Sequence, residues 1–140
     1  MSESFDRDEQ IWSAAGPVQK FALALDDRDA ERLSALFSAD AHLITPDGEG
    51  HVGREAIHAH YREAMERVGA TQHFLTNPVR TVERGIERSY WYALIVIEEP
   101  RGSDRHHLLT GRYEFRIRVA EKPEITELRL HVQGRWRLAR

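Results

Sequence analysis

The chain of 140 residues contains no cysteine, which excludes disulfides, thiol nucleophiles and thiolate metal sites. No apolar run approaches the ~20 residues of a membrane-spanning helix, and the opening MSESFDRDEQ is too acidic for a secretory signal or transit peptide. Basic blocks are missing as well. The formal charge is -3 and the arginines alternate with glutamates, which argues against nucleic acid and against a membrane as partner. HExxH, Walker A, GxSxG and GxGxxG are all absent, and the glycines of PDGEGHVG read as turn residues, not as a phosphate cradle. There is no internal repeat and no low-complexity linker. A soluble cytoplasmic protein is expected, as one domain over residues 1–140 with residues 1–7 a flexible tail; 41% hydrophobic residues supply a real core.

Helical periodicity fills the first half. Over residues 8–27, Ile11, Ala15, Val18, Ala22 and Leu25 recur at three- and four-residue spacing, which gives a helix one apolar face. Gly16 and Pro17 should start, kink or split it. A second helix over DAERLSALF starts at Asp29, a good N-cap residue, and offers Leu33, Leu36 and Phe37 to the core. HLITPDGEGHVG reads as two short strands around a Pro-Asp-Gly turn, followed by a third helix, REAIHAHYREAMERV.

From residue 71 the pattern is extended, with strands in TQHFLTNPVRTVE, SYWYALIVIEE, HHLLTGRYEFRIRVA, ITELRLHV and RWRLAR and turns at RGIE, PRGSD, EKPE and QG. Helices first and antiparallel strands second predict an α+β fold, the long curved sheet wrapped over the helices. In GRYEFRIRV, Tyr113, Phe115, Ile117 and Val119 share one face and Arg112, Glu114, Arg116 and Arg118 the other.

Eight histidines compete for a chemical role. His58 and His60 are two apart on a helix, and His106 and His107 are adjacent on a strand, so neither pair has metal-ligand geometry. His73 differs. It sits in TQHFLTN, where His73, Leu75, Asn77 and Val79 should point the same way. It is either a satisfied core histidine or a base. Of the acidic cluster LDDRD, Asp29 is a helix cap and Asp27 is solvated, whereas Asp26 continues the row Val18, Ala22 toward the sheet. A carboxylate holding one ring nitrogen fixes the tautomer, stabilises the imidazolium and leaves the other nitrogen as a general base. Such a pair suits proton abstraction beside a carbonyl and needs no metal or cofactor.

FALALDDRDAERLSALF, GHVGREAI, TQHFLTN, GRYEF and GRWRLAR occur in that order over most of the chain. The set resembles the SnoaL-like branch of the nuclear transport factor 2-like superfamily, which includes scytalone dehydratase, lindane dehydrochlorinase and bile acid dehydratase. The resemblance implies a cone-shaped α+β barrel with three N-terminal helices packed in the concave face of a curved, mainly antiparallel sheet. It also implies an Asp–His dyad in a dry pocket, falling on Asp26 and His73. By the same resemblance Tyr92, Leu94, Val96 and Glu98 would line that pocket, Glu98 where scytalone dehydratase has a second histidine, and Arg112 would fall near a pocket asparagine. Leu25 stands where that enzyme has a tyrosine, and none lies near Ile44 or Thr45.

The expectation is a cofactor-independent lyase or isomerase, dehydratase-like, acting on a small, largely apolar substrate of polyketide or steroid type. His73 is base and acid, Asp26 its partner, and Glu98, if buried, a proton donor. Alternatives are a polyketide cyclase, an epoxide hydrolase using Glu98 or Glu114, or a non-catalytic ligand-binding or dimerisation module. A homodimer or higher homo-oligomer is expected, with Tyr113, Phe115, Trp91 and Trp136 in the core or on an apolar outer face.

Overall fold

The computed structural model describes residues 2–139, with side chains from residue 8 onward. The helices are α1 (Ser2–Ala14), α2 (Pro17–Asp26), α3 (Ala30–Ala35) and α4 (Arg54–Arg67). The strands are β1 (Phe37–Ile44), β2 (Gly50–Val52), β3 (Thr71–Glu83), β4 (Ile86–Glu98), β5 (His106–Arg118) and β6 (Glu124–Leu138). The expected first helix is therefore two. Pro17 removes an N–H donor and fits the first position of a new helix, so the chain breaks at Gly16 and restarts. The side chains of the expected tail, residues 1–7, lie outside those described, although the backbone of α1 is helical from Ser2.

Asp29 caps α3 as expected, its carboxylate accepting the Arg32 N–H at 3.0 Å. Phe37 belongs to β1 and not to the helix, and its ring is fully buried there. The strands form one sheet in the order β2-β1-β6-β5-β4-β3, curved and unclosed. All pairs are antiparallel except β1 with β6, where Leu43 faces Leu128. QG is not a turn: ITELRLHV and the RWRL that follows it belong to one continuous strand. Thr110 pairs with Gly134 and Gly111 with Val132, so Gln133 is the extra residue of a bulge. A Cβ at Gly134 would meet the Trp136 ring at 2.3 Å, so the indole lies over that glycine.

On the concave face an aromatic cluster centres on Phe21 of α2. Its ring meets Tyr113 at 5.4 Å and Phe115 at 5.5 Å, both edge-on. Trp91 and Ile95 of β4 and Leu109 of β5 extend the core, and of the four aromatic residues expected in the core or on an outer face Trp136 alone is exposed. Truncating Phe21 would cost roughly 3–5 kcal/mol. The packing fixes α2 against the sheet. No helix among the described residues is long and apolar enough to cross a membrane.

Candidate active site

Asp26 ends α2, and Thr71 and His73 open β3. The turn between α2 and α3 is set by Arg28, which adopts a left-handed conformation with φ 58°. Its guanidinium donates to the carbonyls of Met65 and Gly69. The end of α2 is thereby tied to the segment that leads from α4 into β3.

Within that frame Asp26 reaches His73. Oδ1 of Asp26 lies 2.6 Å from Nδ1 of His73 and accepts the Thr71 hydroxyl at 2.9 Å, while Oδ2 accepts the His73 backbone N–H at 3.0 Å. A carboxylate at a helix C-terminus is opposed by the helix dipole, and these donors offset that. The His73 side chain is 8% exposed and that of Asp26 29%. With a carboxylate at Nδ1, that nitrogen carries the proton and Nε2 is the acceptor. Nε2 has no protein partner among the described residues and is not sealed from solvent. Tyr113, buried nearby, has its phenol pushed up in pKa, first by burial and then by the charge of Asp26. It remains a neutral donor.

The dyad opens on a cleft of about 400 Å³ between α1, α2 and the β3 edge of the sheet. The side walls are apolar: Ile11 from α1, Ala15 just after it, Leu23 from α2, Leu75 and Trp91 from the sheet. Trp91 is fixed by its own hydrogen bond, Nε1 donating to Ser89 at 3.0 Å.

The expected substrate contacts on β4 are not part of this cleft. His73 pairs with Ile95, so residues 91, 93, 95 and 97 share its face of the sheet. Tyr92, Leu94 and Val96 therefore point outward, Tyr92 49% and Leu94 40% exposed. Arg112 pairs with Tyr92 on that same outer face, its guanidinium 5.5 Å from the ring centre. Glu98 is not a buried acid: it accepts the N–H of Gly102 at 2.9 Å and of Asp104 at 3.2 Å. Those amides, Gly102 first, hold its carboxyl below the usual carboxylate range. Nor do Asn77 and Val79 continue the His73 row, because a register shift between Thr76 and Val79 interrupts β3.

Gln19, Leu23 and Trp91 line the cleft and were not legible as site residues. The signal for Gln19 and Leu23 was the seven- and three-residue spacing to Asp26, which places them on its side of the helix. For a metal, the described residues offer one group of three donors, Glu98, Asp104 and His106, within 4.8 Å of one another. It lies at the β4–β5 turn, and Glu98 there already binds two amides.

N-terminal helices packed against a curved, unclosed six-stranded sheet match the nuclear transport factor 2-like cone fold. The family model described as SnoaL-like domain matches residues 10–140, and the chain belongs to that family. Solved structures agree in fold. Hexachlorocyclohexane dehydrochlorinase LinA-type3 from Novosphingobium barchaimii superposes with a TM-score of 0.80 at 15% identity, covering 97% of this chain and 94% of its own. A provisionally assigned scytalone dehydratase from Novosphingobium aromaticivorans gives 0.78 at 15% identity, covering 100% and 93%. A nuclear transport factor 2-like protein from Cytophaga hutchinsonii gives 0.68 at 18%, covering 84% and 93%. A comparison with curated protein sequences finds no match. At these identities the likeness is one of fold.

Proposed function

We propose that the chain is a cofactor-independent lyase or isomerase of the dehydratase type, acting on a small, largely apolar substrate of polyketide or steroid type. The observation that carries this reading is the 2.6 Å contact between Asp26 and Nδ1 of His73 beside an apolar cleft. The dehydrochlorinase and scytalone dehydratase named among the structural relatives support elimination chemistry. Nε2 of His73 takes a proton from the carbon next to a carbonyl, and Asp26 stabilises the imidazolium. The C–H electrons form the new double bond as the β-hydroxyl leaves. His73 returns its proton to that hydroxyl, so water departs and the base is restored. In an isomerisation the same proton returns to a different carbon.

Tyr92, Leu94, Val96, Glu98 and Arg112 have no part in this site. The epoxide hydrolase alternative loses its second carboxylate with them, since Glu98 binds its own turn and Glu114 faces His131 at 3.4 Å across β5 and β6. In this reading residues 1–140 act as one cytoplasmic unit. Its second partner is another copy of the chain, packed on the outer sheet face where Phe74, Tyr92, Leu94 and Trp136 are exposed. Replacing His73 by Ala is expected to lower kcat by about 10²–10⁴-fold with the circular dichroism spectrum and Tm retained. Retained turnover in that variant would sink the proposal.

A further inference from the structure

We infer that the cleft reads its substrate at two points along α2, with the reacting carbon at His73 and a hydroxyl or carbonyl oxygen at Gln19. The substrate class that follows is an elongated, mostly apolar molecule about two fused rings long, oxygenated at the end remote from the reaction. This rests on the base reading given above for His73.

Gln19 and Asp26 both line the cleft. They are seven residues apart, close to two full turns, so they lie on one side of α2 and roughly 10 Å apart along its axis. Between them α2 presents Ala22 and Leu23, and Trp91 stands among the residues of the sheet wall. The middle of a bound molecule thus meets only apolar surface, and polar groups are recognised at its two ends. A cleft of about 400 Å³ falls in the range for such ligands.

Gly16 shows how the far point is built. Its φ of -77° and ψ of 174° suit any residue, so glycine is not required there by the backbone. The contact there is with Gln19: a Cβ at position 16 would lie 2.8 Å from Oε1 of that side chain, so an alanine would push the amide off its present position. The amide folds back over the glycine, at the start of α2. Gln19 is exposed and makes no hydrogen bond among the described residues, so both its donor and its acceptor face solvent at the cleft rim and can exchange water for a ligand. The two ends of α2 also differ in sign. The helix dipole favours an electron-rich oxygen at the end carrying Gln19 and a cationic imidazolium at the end carrying Asp26. A substrate lying along α2 is therefore oriented as well as held.

The probes are 6-hydroxy-1-tetralone, which carries a hydroxyl at the end remote from its acidic C–H, and 1-tetralone, which lacks it. Calorimetry on the full chain should show the hydroxylated ketone binding about five- to tenfold tighter, as one added neutral hydrogen bond allows. In Gln19→Leu the two ketones should bind alike. Deuterium exchange at C2 of either ketone in D₂O reads the base separately: His73→Ala should lose the exchange and keep the preference for the hydroxylated ketone. Equal affinities in the wild type, the same preference in Gln19→Leu, or binding of neither ketone at millimolar concentration overturns the inference. A Gln19-dependent preference without His73-dependent exchange upholds the two-point cleft and removes the base.

Discussion

Asp26 and Glu98 are two carboxylates at the ends of secondary-structure elements, and each accepts backbone N–H bonds. Asp26 takes one from His73 of a strand 47 residues away, and Glu98 takes both of its own from the turn that follows it. The local carboxylate is consumed in shaping a loop. The long-range one spends one oxygen on a backbone amide and keeps the other for Thr71 and the His73 ring. A carboxylate thus becomes available for chemistry when the fold supplies its donors from elsewhere and leaves an imidazole within reach.

Substitutions at the two positions test that difference. Asp26→Asn keeps the shape and can still accept from Thr71, but it removes the charge opposite the imidazolium. We expect kcat to fall by roughly 10²–10³-fold with little change in Tm; a rate near wild type would put Asp26 in the same class as Glu98. Thr71→Val removes one support of Asp26 and nothing else, so a fall of about tenfold in kcat with KM unchanged is expected in steady-state kinetics. Glu98→Gln should leave turnover alone and lower Tm slightly. Its carboxyl is held below the usual range in the folded protein by the Gly102 and Asp104 amides. The stabilisation is therefore present above the unfolded-state pKa and disappears as pH falls through the lower folded value. The Tm gap between wild type and Glu98→Gln should be open at pH 7 and close in acid. A gap that widened in acid would reverse the assignment.

The helix spacing made Asp26 legible, because the row Val18, Ala22, Asp26 depends only on the period of α2. The faces of β5 were legible for a similar reason: Tyr113, Phe115 and Ile117 alternate with charged residues and are buried, whereas Val119 falls beyond the strand and is exposed. SYWYALIVIEE offers no such contrast. Both of its faces are apolar, and only the pairing of His73 with Ile95 assigns Trp91 inward and Tyr92 outward. The family resemblance gave the wrong parity there, and Arg112 went outward with its partner Tyr92. Gln133 and Gly134 look like a turn because glycine in a polar context usually makes one. A bulge uses the same residue types within a strand, and alternation along one strand carries no information on its partner's register.

The break in β3 has a consequence for the free edge of the sheet. β3 is an edge strand of 13 residues, the kind that recruits other strands into growing aggregates. Asn77, at φ 54°, and Pro78, which has no N–H to donate, interrupt its free ladder midway. No long uninterrupted run of edge amides is left for a foreign strand to zip onto. The interruption therefore withholds a continuous template for strand addition along that edge.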